Sequence, residues 1–445
     1  MLSVLSHPVF ARLFAAQIIA LIGTGLMTVA LGLLAYDLAG DSAGAVLGTA
    51  LTIKMVAYVG LSPIANALVE RASRKAVLIG ADLLRAAIVL ALPFVTQIWQ
   101  VYALVFALQA ASATFTPAFQ ATIPDILPDE GDYTRALSLS RLAYELENLV
   151  SPALAGLLLT LVSFHWLFAG TALGFVGSAM LVRIAAVPPR GAARARPFLD
   201  RVTRGVRIYV RTPRLRGLWM LNFAAASAGA FVIVNTVVLV RAAYGGAESA
   251  VAIALAAFGG GSMLAALGLP RLLDHVPDRP VMLGAAFALS MASVGYALYW
   301  LRADLPEWPV MLAVWLLFGM LYAAILTPSG RLLRRSVHPE DLPAIFTAQF
   351  ALSHAGWLVT YPMAGWIGDA LGLPQAMLAL GICATVASLA ALRLWPAGDP
   401  RSVEHAHDDL PPDHPHLDRH PLQNGRHAHA YVIDDMHHRW PRPGA

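Results

Sequence analysis

The chain contains about twelve apolar runs, each long enough to cross a bilayer as a helix, because a bilayer core of about 30 Å requires roughly 20 apolar residues. Of its 445 residues, 58% are hydrophobic and 13% are charged, which excludes a soluble enzyme and a disordered chain. The predicted spans lie near residues 13–36, 44–69, 76–95, 98–123, 137–162, 166–187, 216–240, 249–273, 280–300, 309–332, 343–368 and 374–395.

The first run begins directly after Arg12 and lacks the basic region and small-residue cleavage site of a signal peptide. We therefore expect it to be a transmembrane helix. Basic residues favour cytoplasmic loops. If both termini are inside the cell, all basic residues except Arg241, Arg302 and Lys54 lie on the cytoplasmic side. The sequence predicts an even number of spans with both termini in the cytoplasm.

The sequence also repeats itself once. Residues 68–81 align without gaps on residues 272–285, and Thr-Pro recurs at 116–117 and 327–328. Copies of six spans each are parallel in the membrane. We predict an all-α integral membrane protein with twelve transmembrane helices in two pseudo-symmetric halves. The predicted parts are an N-terminal half (1–187), a cytoplasmic linker (188–215), a C-terminal half (216–396) and a tail (397–445).

The linker carries apolar residues at helical spacing. Leu199, Val202, Val206 and Tyr209 recur on one face while arginines face elsewhere. This pattern predicts an amphipathic helix in the headgroup layer.

The tail changes in composition after Pro396. We expect it to be disordered, and nine of the fourteen histidines fall there. His-rich tracts without a packing signal are typical of metal binding, although a solvated tail with inert histidines is the alternative. The single cysteine, Cys383, lies before the tail, and the tail's one soft ligand is Met436, which argues against a soft Cu(I) site. The predicted tail ligands are His405, His407, His414, His416, His420, His427, His429, His437 and His438.

Three ionisable residues are expected at similar depth near the middle of the membrane: Glu145, Lys54 and His354. Asn148 shares the helix face of Glu145, whereas Glu147 faces away from it. Carboxylate, amide and imidazole groups suit a divalent transition metal, so we predict a metal site of Glu145, Asn148 and His354. Glu145 or Glu147 can instead carry protons, with Lys54 as a neutralising partner, and His354 can be a packing residue.

Asp82 lies near the cytoplasmic end of its predicted span. We interpret it as a structural residue.

The twelve-span repeat and one loop resemble the major facilitator superfamily over roughly residues 5 to 396. The family's loop signature runs Gly-x-x-x-Asp-Arg-x-Gly-Arg-Lys, and both glycines are missing here. The resemblance implies alternating access, with a cytoplasmic gate that is closed by ion pairs of this loop and of its repeat. The alternative is that the basic residues of the loop only orient the chain in the membrane, as a positive-inside signal. The matching positions are Asn66, Glu70, Arg71, Ser73, Arg74 and Lys75, with Asp274, Asp278 and Arg279 in the repeat.

Residues 10–17, residues 142–152 and the His-rich tail resemble the nickel-resistance exporters of that superfamily. The resemblance implies export of Ni²⁺ or Co²⁺ across the bacterial inner membrane in exchange for protons. The metal is then cargo, and we expect no cofactor and no enzymatic activity. The expected partners are membrane lipid, the cation and protons, without nucleic acid or ATP, and the expected state is a monomer.

Two alternatives remain open. The body also resembles siderophore and macrolide exporters of the superfamily. In that case Trp219, Trp315 and Trp357 line a cavity for a large organic compound, and the tail has a regulatory role in transport. A metal sensor or receptor is the other alternative, and the two-fold body argues against it.

Overall fold

In lipid, every backbone N–H and C=O must be bonded within the chain, and a helix achieves this locally. In the computed structural model, helices occupy all the predicted spans. The structure describes residues 2–68, 73–187, 198–303, 305–338, 341–398, 402–405, 427–429, 431–434, 436, 437 and 440. Its helices are α1 (Pro8–Ala39), α2 (Ala43–Leu68), α3 (Arg74–Ala91), α4 (Ile98–Ile126), α5 (Glu130–Leu159), α6 (His165–Ile184), α7 (Phe198–Arg211), α8 (Pro213–Val238), α9 (Glu248–Leu273), α10 (Asp278–Arg302), α11 (Trp308–Leu326), α12 (Ser329–Arg334), α13 (Leu342–Leu371) and α14 (Leu373–Leu394).

Many of these helices have the length and composition of membrane spans. Within the described residues, eight helical segments are long and apolar enough to cross a membrane, and one of them, Pro8–Tyr58, contains α1 and much of α2. The prediction of an all-α membrane protein with two six-helix halves is confirmed.

The two halves repeat one packing scheme. In the N-terminal half, α1 packs against α5 and α6, and α3 packs against α4 and α6. In the C-terminal half, α8 packs against α13 and α14, and α10 packs against α11 and α14. The equivalence of the helices follows the repeat in the sequence.

The halves meet through α2 against α13 and through α5 against α9. We call the end of the bundle that carries α7 the linker end and the opposite end the far end. Small residues bring the halves together at the far end. A Cβ added to Gly48 would lie 2.7 Å from the Tyr361 carbonyl oxygen, and one added to Gly156 would lie 3.1 Å from the Ala252 Cβ. Gly44 and Gly365 also approach each other closely through their backbones.

The linker helix α7 is docked on the C-terminal half. Arg204 forms an ion pair with Asp341, with a second contact of 3.0 Å between the guanidinium and the carboxylate. Tyr209 is fully buried, and its hydroxyl bonds Gln349 of α13. A Cβ on Gly205 would clash with the α13 backbone. Of the apolar face predicted for the headgroup layer, Val206 and Tyr209 therefore pack on the protein core instead.

Part of the tail is folded, in contrast to the expected disorder. Strands β1 (Val403–His405) and β2 (His427–His429) pair antiparallel. Beyond β2, Tyr431, Val432 and Ile433 are buried. Burial of these apolar residues stabilises the folded segment. The high histidine content of the tail gave no indication of this apolar cluster.

Candidate functional site

A row of side chains crosses from α2 to α13. The Lys54 ammonium lies 5.9 Å from the centre of the Tyr58 ring. Tyr58 in turn lies 6.0 Å from the His354 ring and 6.1 Å from the Phe350 ring, between ring centroids. The row places a cation of one half beside an imidazole of the other.

Glu147 of α5 extends this row within the N-terminal half. Its Cγ lies 3.5 Å from the position that a Cβ on Gly25 of α1 would take, which places Glu147 beside α1, and the same Cβ would clash with Ser151. The Glu147 carboxylate interacts electrostatically with Lys54. The predicted coupling residues Lys54 and Glu147 are thus brought together. The side chains of Glu145 and Asn148 lie outside the described part of the structure.

His354 is oriented by its own helix. Its Nδ1 lies 2.7 Å from the Phe350 carbonyl oxygen, and since a carbonyl only accepts, Nδ1 carries the hydrogen of this contact. In the described residues, no group of three His, Cys, Asp or Glu side chains is arranged to hold a metal ion. The metal site of Glu145, Asn148 and His354 stays a prediction.

Aromatic side chains of the C-terminal half lie close to the row. Trp357 and Tyr361 of α13 have ring centroids 4.9 Å apart, and Phe258 of α9 lies 5.5 Å from Tyr322 of α11. Gly229 of α8 joins the two pairs, since a Cβ there would lie 2.8 Å from the Trp357 ring and 3.3 Å from the Tyr322 ring. Tyr361 is buried, whereas Phe258, Tyr322 and Trp357 are partly exposed. Partly exposed rings suit an organic molecule with flat or apolar parts.

The gate residues predicted in the N-terminal half make contacts within that half. Arg74 at the start of α3 forms an ion pair with Asp125 of α4. Lys75 donates to the Ala185 carbonyl at the end of α6 at 3.0 Å. Glu70 and Arg71 lie outside the described residues.

Their repeat counterparts in the C-terminal half do the same. The buried carboxylate of Asp278 pairs with Arg331 at 2.6 Å. Arg279 donates to the Trp395 carbonyl at the end of α14 at 2.9 Å. Asp274 is exposed. A latch between the two halves through these residues stays a prediction.

Three histidines of the tail form a row, with ring centroids 5.1 Å apart between His427 and His429 and 5.2 Å apart between His429 and His437. Asp434 contacts the His437 ring at 2.9 Å. Burial alone would raise the pKa of Asp434, but hydrogen bonds from His437 and Met436 outweigh it and lower that pKa below its ordinary value. His405 lies in β1, opposite residue 427. The remaining tail histidines lie outside the described residues: His407, His414, His416, His420 and His438.

A family model described as Major Facilitator Superfamily matches residues 13–301 and 218–427, which together include both halves. The chain belongs to the major facilitator superfamily.

Relatives within the superfamily are efflux proteins by name. "Multidrug efflux pump Tap" of Mycobacterium tuberculosis is 28% identical over 404 residues, which cover 87% of this chain and 93% of Tap. "Macrolide efflux protein A" of Streptococcus pyogenes is 29% identical over 187 residues, which cover 41% of this chain and 45% of that protein.

Solved structures of the superfamily share the fold. The nucleoside transporter NupG has a TM-score of 0.67 at 13% identity, with 87% of this chain and all of NupG covered. A peptide transporter, POT, has a TM-score of 0.65 at 14% identity, with 87% of this chain and 94% of POT covered. At these identities the likeness concerns the fold alone.

The sequence did not indicate two members of the row, Tyr58 and Phe350. Tyr58 lies four residues after Lys54 on one helix face, and this spacing is the signal that could have found it.

One aromatic prediction is wrong. Trp315 lines no cavity, because it is fully buried and donates to the Thr236 hydroxyl at 2.9 Å inside the C-terminal half.

Proposed function

We propose that the protein is a secondary exporter of organic compounds, of the kind that multidrug and macrolide pumps carry, driven by protons across a bacterial cell membrane. Both termini lie in the cytoplasm in this proposal, which follows the distribution of basic residues. The protein belongs to a superfamily of transporters, and the relatives above are named for drug and macrolide efflux.

The observation that carries the proposal is the pairing of an ionisable group with aromatic rings where the halves meet. The partly exposed rings of Trp357 and Tyr322 offer flat apolar surfaces on one side. Lys54 and Glu147 offer a charge pair on the other. A cargo with apolar parts and a polar group fits such a site.

Proton coupling is assigned to Glu147. A proton on its carboxylate removes the negative charge that attracts Lys54, and Lys54 then faces Tyr58 and His354 without its counterion. A change of charge between packed elements shifts the balance between their arrangements, which is the requirement for coupling a proton to alternating access.

Nickel export has less support than organic export. The relatives above are named for drugs and macrolides rather than metals. The tail histidines keep a regulatory role in this proposal, in which they bind a divalent cation outside the transport site.

The test is transport in proteoliposomes that hold the purified full chain. Erythromycin, tetracycline and NiCl2 are offered separately, with and without an imposed proton gradient. We expect uphill movement of at least one organic probe with the gradient and none without it. Movement of Ni²⁺ with no movement of either organic probe would replace this proposal with the nickel assignment.

A further inference from the structure

A buried ion pair lies inside the N-terminal half, apart from the row at the interface between the halves. Asp82 and Arg85 are one turn apart on α3, and their side chains are 0% and 7% exposed. The Ser178 hydroxyl of α6 donates to the second carboxylate oxygen of Asp82 at 2.7 Å. Asp82 lies eight residues into α3, roughly 12 Å from the linker end.

Two aromatic rings enclose the arginine of this pair. The Arg85 guanidinium carbon lies 4.3 Å from the centre of the Phe115 ring of α4 and 4.4 Å from that of Phe175 of α6. The buried Nε of Arg85 has no hydrogen-bond partner among the described residues. The ring faces therefore stabilise the positive charge independently of the carboxylate.

The C-terminal half builds the same packing without a charge. The repeat in the sequence places Ala286 and Leu289 at the positions of Asp82 and Arg85, and both are fully buried. Ser388, the counterpart of Ser178, contacts the Ser290 hydroxyl at 3.3 Å. Three helices of this fold thus pack together with apolar side chains at these positions.

The comparison argues against a purely structural role for Asp82, contrary to the interpretation from sequence alone. Apolar replacements of a buried ion pair are often as stable as the pair itself. Ionisable groups inside a membrane protein commonly mark a proton or ion pathway. We infer that Asp82 is a second proton-binding site of the transport cycle, separate from Glu147, with Arg85 and Ser178 as positioning residues.

The chemistry is a reversible proton transfer to one carboxylate oxygen of Asp82. The carboxyl becomes neutral, Arg85 keeps its own proton, and the cluster changes from zero net charge to one positive charge. Arg85, on α3 itself, is the charged group that acts on Asp82, while α6 supplies Ser178 and Phe175 and α4 supplies Phe115. A neutral carboxyl accepts a weaker hydrogen bond from Ser178 than a carboxylate does, so protonation loosens α3 from α6.

The first test does not depend on the cargo or on the proposed export. Infrared difference spectra between acidic and neutral pH are recorded on the full chain in lipid nanodiscs, where a protonated carboxyl has a C=O stretching band. We expect a titrating band in the unmodified protein that is lost in Asp82→Asn and kept in Glu147→Gln. Identical titrating bands in the unmodified protein and in Asp82→Asn would overturn the inference.

The second test gives the N-terminal half the two side chains that the C-terminal half has at the equivalent positions. The double variant Asp82→Ala/Arg85→Leu takes the residues that are packed at the equivalent place in α10. We expect its thermal unfolding midpoint and its erythromycin counterflow, which needs no proton gradient, to match those of the unmodified protein. Uphill accumulation driven by protons is lost.

Each other outcome counts against the inference. Full uphill transport by the double variant would make the pair dispensable. Joint loss of thermal stability and counterflow, in the double variant and also in the near-isosteric Asp82→Asn, would make the pair structural. If the unmodified protein moves neither erythromycin nor tetracycline, the proposed function fails, while the infrared result still decides the protonation of Asp82.

Discussion

The linker ends of the two halves are held by similar ion pairs with exchanged charges. In the N-terminal half the basic Arg74 begins α3 and pairs with the acidic Asp125. In the C-terminal half the acidic Asp278 begins α10 and pairs with the basic Arg331. Each half thus attaches the start of this helix to a neighbouring helix by an ion pair, and the signs of the two partners are exchanged between the halves.

The interiors of the halves differ more deeply. The N-terminal half contains the ionisable groups Lys54, Asp82, Arg85 and Glu147. The C-terminal half instead carries partly exposed aromatic rings such as that of Trp357 on α13, the helix that packs against α2. In the proposed function, the first half therefore handles protons and the second half holds most of the cargo. The predictions below test this division.

The largest effect is expected from Glu147→Gln. The amide keeps the size of the side chain but cannot exchange a proton, so uphill transport of erythromycin should be lost while counterflow persists. Proteoliposome uptake with and without a proton gradient measures both. The matched control is Glu307→Gln, which changes an exposed carboxylate before α11. Equal loss in both variants would remove the proton role from Glu147.

A smaller and different effect is expected from Trp357→Ala in the C-terminal half. The half-saturating erythromycin concentration should rise by about fivefold, because an aromatic contact contributes about 1 kcal/mol beyond its buried area. Proton dependence should be unchanged. Trp166→Ala, at an exposed site on α6, serves as the control. A loss of proton dependence in Trp357→Ala would break the division between the halves.

The exchanged ion pairs predict a rescue. Arg74→Asp leaves Asp125 facing a like charge and should lower thermal stability by about 1 kcal/mol, the usual scale for partly exposed pairs. Adding Asp125→Arg recreates the order found at Asp278 and Arg331, and the unfolding midpoint should return. A double variant no more stable than Arg74→Asp would show that the order of the two charges matters at the start of α3.

The smallest effect concerns the tail. Because the folded-state pKa of Asp434 lies below its ordinary value, its ionised form stabilises the docked segment above about pH 4 and this contribution is lost as the pH falls further. Asp434→Asn should expose residues 431–434 to proteolysis at pH 7 with little change in transport. Protection equal to that of the unmodified chain would show that Asp434 does not hold the segment.

The sequence predicts the spans and the two-fold repeat well, because each span reports its own length and hydropathy locally. Side-chain placement depends on which face of an apolar helix meets its neighbours, and a helix that is apolar all round gives no such signal. This is why the sequence places Trp315 at a cavity although it is buried, and why it gives no sign of the contact of Tyr58 with His354 across the two halves. The rings around Arg85 come from α4 and α6, so no pattern along α3 indicates them.

The docking of α7 on α13 has a consequence for the chain as a genetic unit. Since Arg204 and Tyr209 attach this helix to Asp341 and Gln349, it belongs to the C-terminal half as a body. A break between residues 188 and 197 would thus divide the protein into two fragments, each with a complete six-helix bundle. The two fragments can reassemble through the backbone contact of Gly44 with Gly365. Two co-expressed fragments should therefore form one working protein.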